Sequence, residues 1–373
     1  MRLTELNTPA LVLDLARARR NAARMAERVR SMGARLRPHV KTHKCAEVAR
    51  LQTENTDAAL TVSTLAEARF FAERGFLDLT YAVPVEPGKF AAAVDLVRRG
   101  VRLALITDDA EIPQKLDDAA RAAGVTLDLF LKVDCGYHRC GVEPDTPEAR
   151  EIPRKIADAG NLRFAGILTH AGHSYHARTR DDLLALSRRE RDVMTEFAEQ
   201  LRVGGIEVPT VSVGSTPTMS VVEHLTGVDE ARPGNYIFYD AFQATLGSCA
   251  FTDCALTVLA SVVHRDRTRR KIVIDAGAIA LSKDRGATEL DPASGFGHVL
   301  DLEGGDTGLR VNSVSQEHGV VQVDDEGLFD RLRVGTRVRV LANHSCLTAA
   351  QHPFYNVLEG EQIVDKWEIQ RGW

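Results

Sequence analysis

The sequence predicts an α/β fold in which a (β/α)8 barrel is followed by a smaller, mostly antiparallel β domain. From residue 15 to about residue 240, short apolar runs alternate with amphipathic stretches, whereas the apolar runs after residue 245 are β-branched and lack long helical patterns between them. Eight strands that alternate with helices imply parallel pairing and right-handed crossovers. The 373 residues leave room for a second domain beside a barrel of typically about 250 residues.

Eight apolar runs are the candidate barrel strands. In chain order they are Leu36–Val40, Ala58–Ser63, Leu79–Val83, Arg102–Thr107, Leu127–Asp134, Phe164–His170, Thr210–Gly214 and Ala231–Phe238. The helical patterns between them include Ala16–Met32, Ala66–Arg74, Ala110–Ala123 and Asp182–Gly204. Asp108 and Glu111 fit a capping box at the start of the third of these helices. A doubly wound open sheet is the alternative, but no G-x-G-x-x-G follows the first strand, so a dinucleotide-binding fold has no positive support.

The predicted β domain is marked by short β-branched runs with turn signals between them. The runs are Leu256–Val263, Ile272–Ile274, Val320–Val323 and Val338–Leu341, and the turns include Glu303–Asp306 and Asp325–Gly327. We expect residues 16–243 to form the barrel, and residues 1–15 and 244–373 to form the β domain.

Composition and charge exclude several classes of protein. Apolar residues make up 44% and charged residues 27% of the chain, as in ordinary soluble globular proteins, and a formal net charge of -5 gives no reason to expect nucleic acid. Neither a signal peptide nor an apolar run of membrane-spanning length is visible. The six cysteines show neither a CxxC pair nor disulfide-like spacing, which favours a reducing cytoplasm.

The first candidate strand ends in a basic segment, Arg37–Lys44, that contains Lys41. Residues at the carboxyl ends of barrel strands face the mouth where barrel active sites lie. A lysine there can bind a carbonyl cofactor as an imine, provided that burial or the neighbouring His39, His43 and Lys44 lower its pKa. Taken alone, the segment is equally well interpreted as a basic surface cluster.

Polar residues also follow the fifth and sixth candidate strands. Arg139 comes after a tight glycine turn, where a guanidinium can meet a phenolate oxygen, although a surface salt bridge is the alternative. His170 and Tyr175 follow the sixth strand. A histidine at that place can stack on a planar ring or be a buried side chain hydrogen-bonded to backbone, and the sequence leaves both open.

The last two candidate strands end in segments suited to a phosphate. Gly214, Ser215 and Thr216 precede a proline at a helix start, where free N–H groups and partial positive charge favour an anion. Gly234, Asn235 and Tyr236 form a second glycine turn with a phenol close by. The loops after strands seven and eight are the usual phosphate site of barrels. The shared placement of these segments after neighbouring strands, rather than any one of them, indicates a phosphate site.

Eight short stretches, spread nearly from end to end of the chain, resemble a known family. They are Thr8–Asp14, Arg37–His43, Val62–Glu67, Leu168–His173, Val211–Pro217, Asp275–Gly277, Ser315–Gly319 and Asn343–Cys346. With them the chain resembles the fold-type III pyridoxal-phosphate enzymes, the alanine racemase-like barrels. Within these it is similar to the D-serine dehydratase-like branch, which includes D-threo-3-hydroxyaspartate dehydratases and, more distantly, D-threonine aldolases.

The resemblance implies roles for residues of this chain. Lys41 would hold the cofactor and act as the base that removes the α-proton, Arg139 would contact the 3′-oxygen of the ring, and His170 would face the ring. The whole set implied for the cofactor is Lys41, Arg139, His170, Tyr175, Gly214, Ser215, Thr216, Gly234, Asn235 and Tyr236.

His344 and Cys346 are the candidate metal ligands. In an extended segment, residues i and i+2 point to the same side, so this pair can hold one ion. A nitrogen and sulfur pair suits Zn²⁺ better than Mg²⁺, although Mn²⁺ and Mg²⁺ stay open. One H-x-C is a weak motif, and spacing alone favours a buried histidine beside a small cysteine. The resemblance reverses that preference, because the branch is known for a divalent metal at this pair.

The resemblance also implies a reaction. The aldolase-like relatives generally carry Asp at the second metal position, whereas the dehydratase-like relatives carry Cys, as at Cys346. We therefore expect a lyase that converts a small D-3-hydroxy amino acid such as D-serine or D-threo-3-hydroxyaspartate to a 2-oxo acid and ammonia. The metal would bind the β-hydroxyl, and the protein would be a homodimer.

Three other functions stay open at this point. One is retro-aldol cleavage to glycine and an aldehyde, as in a D-threonine aldolase. Another is a non-catalytic protein that binds pyridoxal phosphate, although small proteins of that kind lack a β domain. The third is a racemase, which needs a second base that is usually a tyrosine of the β domain, and that domain offers none before Tyr355.

Overall fold

The computed structural model of the chain describes residues 1–54 and 56–373. These residues form two compact units, which we call the β unit (Met1–Ala23 with Asn235–Arg371) and the barrel unit (Arg24–Gly234 with Gly372–Trp373). Within the described ranges, no helix combines the length and the apolar character that crossing a membrane requires.

Strands and helices are numbered separately in chain order. The strands are β1 (Ala10–Asp14), β2 (Arg35–Leu36), β3 (Leu60–Val62), β4 (Asp78–Pro84), β5 (Arg102–Thr107), β6 (Leu127–Lys132), β7 (Leu162–Leu168), β8 (Val211–Val213), β9 (Glu230–Ala231), β10 (Leu256–Asp266), β11 (Lys271–Ile274), β12 (His298–Leu300), β13 (Asp306–Val314), β14 (Gly319–Gln322), β15 (Arg337–Leu341), β16 (Phe354–Glu359) and β17 (Gln362–Glu368). The helices are α1 (Leu15–Ser31), α2 (Ala46–Thr53), α3 (Leu65–Ala72), α4 (Phe90–Arg98), α5 (Ile112–Ala123), α6 (Pro147–Asp158), α7 (Arg180–Val203), α8 (Thr216–Val221), α9 (Ala241–Thr245), α10 (Ala278–Leu281), α11 (Glu326–Arg331) and α12 (Ser345–Ala349).

The barrel unit contains an eight-stranded parallel sheet in the order β2-β9-β8-β7-β6-β5-β4-β3. A parallel bridge between His39 and Thr61, in which the Thr61 N–H donates to the Pro38 carbonyl oxygen at 2.9 Å, joins the two ends of this order. Helices alternate with the strands along the chain. The prediction of a parallel (β/α)8 barrel is therefore confirmed.

The first and the last predicted strands end several residues earlier in the structure than the apolar runs suggested. The first ends at Leu36 rather than Val40, and the last ends at Ala231 rather than Phe238. Pro38 and Pro233 follow these ends, and proline has no N–H to donate to a sheet ladder. The chain beyond each strand end is therefore free to form a turn, and both turns carry candidate site residues.

The predicted capping box at Asp108 is wrong. Helix α5 begins at Ile112, and the Asp108 carboxylate instead accepts from the Gly141 N–H at 2.6 Å. Asp109 accepts from the Glu111 N–H at 2.7 Å, which makes the turn before the helix. Pro113 favours this later start, because a residue without an N–H is best placed in the first turn of a helix.

The β unit is built on a nine-stranded sheet in the order β11-β14-β13-β12-β15-β10-β1-β16-β17. Strand β1, from the start of the chain, pairs antiparallel with β10 and parallel with β16, and the other pairings of the sheet are antiparallel. The predicted second domain of mostly antiparallel strands is therefore confirmed.

Inside the barrel, the buried carboxylate of Glu230 lies among arginines. Glu230 Oε2 accepts from Arg37 Nε at 2.6 Å and from Arg35 at 2.5 Å, and Arg37 also donates to Asp78 at 2.8 Å. Burial alone would raise the pKa of Glu230, but the charges of Arg37 and Arg35 lower this pKa to about 2. A buried pair of this kind is costly to break, because the remaining charge has no partner.

We expect Glu230→Gln to lower the free energy of unfolding near neutral pH by about 3–5 kcal/mol, the usual cost of removing one partner of a buried ion pair. The pKa of Glu230 lies below its ordinary value of 4.5, so the stabilisation is present above pH 4.5 and is lost as the pH falls toward about 2. Urea unfolding at about pH 7, 5 and 3 should therefore show the two proteins converging in stability under acid. A difference in the free energy of unfolding that stays constant with pH would contradict this account. An equal loss of stability in the exposed control Glu199→Gln would contradict it as well.

Candidate active site

Lys41 lies in a short 3-10 turn, Val40–Thr42, that follows β2 at the carboxyl end of the barrel. The Lys41 N–H donates to His39 Nδ1 at 3.4 Å, and the His39 N–H donates to the Pro233 carbonyl at 3.0 Å. The Lys41 side chain is exposed, whereas Val40 and Thr42 on either side are buried. The turn therefore fixes the backbone at Lys41 and leaves its amine accessible.

Two neighbours expected to act on Lys41 are engaged elsewhere. His43 is fully buried, and it bonds to Gln52 Oε1 at 2.8 Å while its Nδ1 accepts from the Cys45 N–H. Burial lowers the pKa of His43 to about 3 despite the hydrogen bond to Gln52, so the ring is neutral. Lys44 pairs with the buried carboxylate of Glu67 at 3.0 Å. These two residues fit structural roles.

His170 lies beyond the end of β7, among positive charges. Burial lowers the pKa of His170 well below its ordinary value, and the charges of Lys41, Lys132, Arg139 and Arg232 lower it further. The ring therefore stays neutral. Its edge-to-face neighbour is Tyr137, with 6.3 Å between ring centroids. The structure thus brings Lys41, Arg139 and His170 into one electrostatic neighbourhood at the barrel mouth.

Arg139 belongs to the loop after β6, which is shaped by Asp134. The Asp134 carboxylate accepts the N–H groups of Gly136, Tyr137 and His138, each at 2.8 Å. The Arg139 guanidinium is exposed and lies 5.0 Å from the centroid of the Tyr137 ring. The loop backbone is therefore anchored by a carboxylate, and the guanidinium is free to reach a ligand.

Two buried cations in this neighbourhood were not predicted. Lys132, the last residue of β6, is 5% exposed, and burial lowers the pKa of its amine to about 8. Arg232, directly after β9, donates to Ser212 and to the Thr169 carbonyl. The sequence does show a charged residue at the end of each of these two apolar strands. It does not show that their side chains are buried, because this burial depends on the closure of the barrel.

Glu190 was also missed, because it lies in the middle of the long helix α7. Its buried carboxylate accepts from the N–H groups of Ala171 and Gly214, both at 3.0 Å, and from Thr218 Oγ1 at 2.8 Å. It therefore holds the loops after β7 and β8 together. A charged residue on the buried face of an amphipathic helix was the signal that could have found it.

The predicted phosphate segment after β8 folds as expected, but two of its N–H groups are already bound within the protein. Helix α8 begins at Thr216 with Ser215 as its N-cap. The Gly214 N–H donates to Glu190, and the Ser215 N–H donates to Thr218 Oγ1 at 3.1 Å. Gly214 has a φ of 109°, a backbone conformation that would be strained in a residue with a side chain. Phosphate binding by this segment stays a prediction.

The remaining candidates of the barrel unit lie in neighbouring turns. Tyr175 is half-buried in the 3-10 turn Gly172–His176, whose Ser174 hydroxyl is 3.0 Å from the Ser215 hydroxyl. Gly234 packs against the turn that carries Lys41, since a Cβ added there would lie 2.7 Å from the His39 carbonyl oxygen. Only glycine permits this approach.

Asn235 and Tyr236 belong to the β unit, in the 3-10 turn Asn235–Ile237, and both are buried. The Asn235 amide donates to Asp240 Oδ2 at 2.8 Å and to Ser345 Oγ at 2.9 Å, and its nitrogen lies 3.6 Å from Cys346 Sγ. Asn235 therefore contacts the segment that contains the candidate metal ligands His344 and Cys346.

His344 and Cys346 lie at the start of α12, so the prediction of an extended segment is wrong. His344 is the N-cap of this helix and has extended dihedral angles, but Cys346 already lies in the first helical turn. The two side chains nevertheless interact. Burial lowers the pKa of His344, but its hydrogen bonds to Asp284 and Cys346 outweigh burial and raise this pKa to about 11.

His344 donates from Nδ1 to Asp284 Oδ2 at 2.8 Å. This bond leaves Nε2 as the ring nitrogen that can bind a metal, and Cys346 supplies a sulfur. Among residues 1–54 and 56–373, no group of three or more His, Cys, Asp or Glu side chains is arranged to hold an ion. His344 and Cys346 themselves offer one nitrogen and one sulfur donor, which are ligand types that Zn²⁺ prefers.

The barrel mouth fits an anionic cofactor with an aldehyde. Lys41 offers an accessible amine, and the charges of Lys132, Arg139 and Arg232 surround His170. These are the groups that a phosphate, a phenolate and a carbonyl carbon require.

A cavity of about 1100 Å³ lies at the opposite end of the strands. The charges that line this cavity are largely paired with one another, such as Arg37 with Asp78 and Arg163 with Asp128.

Two family models match the chain. The model for the N-terminal domain of alanine racemase matches residues 13–241, and the model for a putative serine dehydratase domain matches residues 255–358.

The chain matches several curated relatives over nearly the full length of each protein. The chain is 41% identical to a D-threo-3-hydroxyaspartate dehydratase of Delftia sp., covering 100% of this chain and 99% of that protein. It is 36% identical to a D-serine dehydratase of Dictyostelium discoideum, covering 100% and 98%. A D-threonine aldolase of Arthrobacter sp. is 28% identical, covering 98% and 93%.

Solved structures agree with these matches. A cysteine-to-alanine variant of a D-threo-3-hydroxyaspartate dehydratase, in a metal-free form, superposes with a TM-score of 0.97 at 40% identity, covering 100% of both chains. A histidine-to-alanine variant of a D-threo-3-hydroxyaspartate dehydratase also gives a TM-score of 0.97, covering 100% of this chain and 97% of that one.

Proposed function

The chain belongs to the D-serine dehydratase-like family of alanine racemase-fold enzymes, and on that premise we propose that it is a lyase that eliminates water from D-3-hydroxy amino acids, with net release of ammonia once the unsaturated product is hydrolysed. The product is a 2-oxo acid. D-threo-3-hydroxyaspartate and D-serine are the proposed substrates, because they are named in the two dehydratases that match the chain over its whole length.

One observation carries the proposal. The chain is 41% identical to a D-threo-3-hydroxyaspartate dehydratase from end to end, so the match includes the barrel and the β unit. A match to the barrel alone would support only a shared fold. The β unit matters because it contains His344 and Cys346.

Membership of the fold-type III family implies pyridoxal phosphate. When bound, this cofactor spreads the negative charge of a deprotonated α-carbon into its pyridine ring. We assign its attachment to the Lys41 amine, which the 3-10 turn leaves accessible. Arg139 is assigned to the ring 3′-oxygen and His170, neutral because of its lowered pKa, to the ring face.

Residues of this chain then account for the proton transfers. The Lys41 amine removes the α-proton of the substrate as a general base. Loss of the β-hydroxyl releases an unsaturated amino acid. Water hydrolyses that product to the 2-oxo acid and ammonia, so no oxidant or reductant is needed.

We propose that His344 and Cys346 would hold a divalent metal, which would help the β-hydroxyl of the substrate to leave. A metal there supplies Lewis acidity toward a hydroxyl oxygen. The two variants of the solved dehydratase support this assignment, because the replaced histidine and cysteine lie two positions apart, as His344 and Cys346 do, and one of the variants is metal-free. Zn²⁺ is the proposed metal, since it prefers nitrogen and sulfur ligands.

The alternative is retro-aldol cleavage to glycine and an aldehyde. A D-threonine aldolase that matches 98% of the chain supports it, but at 28% identity. The aldolase-like members generally carry Asp where this chain has Cys346, which favours dehydration. A non-catalytic cofactor carrier is disfavoured by the β unit. The homodimer, the cytoplasmic location and the domain limits of residues 16–243 for the barrel stay proposals.

An ammonia-release assay tests the function. Purified protein with pyridoxal phosphate and Zn²⁺ is incubated separately with D-serine, D-threo-3-hydroxyaspartate and D-threonine, and with the L-enantiomers as matched controls. The proposal expects ammonia and an equal amount of 2-oxo acid from at least one of the D-amino acids and none from the L-enantiomers. Full cofactor loading without turnover of any of these compounds would contradict it and favour the carrier.

A further inference from the structure

Asp284 is a carboxylate of the β unit that no motif of the sequence marks. It lies between α10 and β12 and is half-buried. Its Oδ1 accepts from the Gly286 N–H at 2.7 Å, and its own N–H donates to Ser282 Oγ at 3.2 Å. These local bonds fix the carboxylate and leave Oδ2 for a partner outside the loop. That partner is His344 Nδ1, at 2.8 Å.

The loop of Asp284 is also tied to the segment that carries His344. The Asn343 side-chain amide donates to the Asp284 carbonyl at 3.2 Å and to the Gly295 carbonyl at 3.0 Å. Gly286 has a φ of 63°, and a Cβ added there would lie 3.0 Å from Asn343 Cβ. The approach of the two segments is therefore close and specific, and it does not depend on the histidine alone.

The direction of the hydrogen bond decides which nitrogen of His344 is available. A carboxylate can only accept, so Nδ1 keeps its proton and Nε2 is the nitrogen that can give up its proton to a metal. A histidine that binds a metal typically donates its other N–H to a carboxylate or carbonyl, which fixes the ring and makes it a stronger ligand. Asp284 supplies such a carboxylate.

We propose that Asp284 is the positioning residue of the metal site, holding His344 in the tautomer and ring orientation in which Nε2 binds the metal. The inference rests on the metal site of the proposed function and adds to it a residue that contacts neither metal nor substrate. Cys346 has a comparable support in Asn235, whose amide nitrogen lies 3.6 Å from Cys346 Sγ and is held by Asp240.

Metal affinity measured without turnover tests the proposal. Metal-free wild type, Asp284→Asn, Asp284→Ala and the exposed control Glu303→Gln are titrated with Zn²⁺ in competition with a chromogenic chelator. We expect Asp284→Ala to weaken Zn²⁺ binding by about 10–100-fold, the usual effect of losing such a partner. Asp284→Asn should weaken it less, because its amide oxygen still accepts from Nδ1. Glu303→Gln should bind Zn²⁺ like the wild type.

Co²⁺ binding gives a second readout. The near-ultraviolet charge-transfer band reports the Cys346 thiolate, and the visible bands report the ligand geometry. We expect Asp284→Asn to keep the thiolate band and to change the visible bands. Because Asn is close in shape to Asp, this variant keeps the test valid if Asp284→Ala does not fold.

The outcomes separate this inference from the proposed function. Equal Zn²⁺ affinity and equal Co²⁺ spectra in wild type and both Asp284 variants would overturn the positioning role and leave the metal site intact. Absence of stoichiometric metal in the wild type, with His344→Ala unchanged from it, would overturn the metal site and the positioning role together.

Discussion

Replacing Lys41 by alanine will reduce the rate of ammonia release by at least about 10³-fold, because it removes both the point of cofactor attachment and the proposed base, and a positioned base alone contributes about 10²–10⁴-fold. The same change should leave the fold intact. Lys41 is exposed in a turn held by backbone bonds from the N–H groups of His43 and Lys44 to the Val40 carbonyl, and surface substitutions usually change the free energy of unfolding by within about 0.5 kcal/mol. Turnover and urea unfolding check these two expectations, and the visible absorption of dialysed protein shows whether the cofactor stays bound.

Lys41→Arg is the matched variant for this prediction. It keeps the positive charge that acts on His39 and His170 but cannot join a carbonyl carbon as lysine does. We expect it to be as inactive as Lys41→Ala and to lose the cofactor on dialysis. Substantial turnover by either variant would show that another residue, such as the buried Lys132, holds the cofactor.

His344→Ala and Cys346→Ala should each lose stoichiometric metal and reduce turnover by about 10²–10³-fold, since a Lewis acid contributes several kcal/mol to the departure of a poor leaving group. Neither change should release pyridoxal phosphate, because the proposed attachment is at Lys41. Metal content by elemental analysis, cofactor content by absorbance and the ammonia rate are measured on the same samples. Chelator treatment of the wild type should reproduce the effect.

Cys249→Ala and the exposed His264→Ala are the matched controls for the metal pair. Both should retain metal and activity. Full activity of metal-free Cys346→Ala would contradict a role of the metal in the reaction. Loss of cofactor together with metal would instead indicate that the substitution damages the whole site.

The barrel was predictable because its signals are local. Apolar runs such as Leu127–Asp134 must be buried in a parallel sheet, and the amphipathic stretches between them must cover it. The strand ends were less predictable, because they depend on single residues such as Pro38 and Pro233. The sequence predicted His344 and Cys346 on one side of an extended segment, whereas a helix begins between the two residues.

The site was predictable only in part. Lys41, Arg139 and His170 were identified from their places after strands, and the structure brings them together. Glu190 and Asp284 were missed, because each acts through hydrogen bonds to residues distant in sequence: Glu190 to Gly214 and Asp284 to His344. Such partners are set by tertiary packing, which a single sequence does not display.

The most direct test of the central claim uses one substrate on which both candidate lyases would act. D-threo-3-hydroxyaspartate is incubated with the enzyme loaded with pyridoxal phosphate and Zn²⁺, and the products are identified by mass spectrometry. Cleavage of the Cβ–O bond gives oxaloacetate and ammonia, whereas cleavage of the Cα–Cβ bond gives glycine and glyoxylate. Our account predicts oxaloacetate and ammonia in equal amounts, and glycine with glyoxylate would show that the chain is an aldolase despite Cys346.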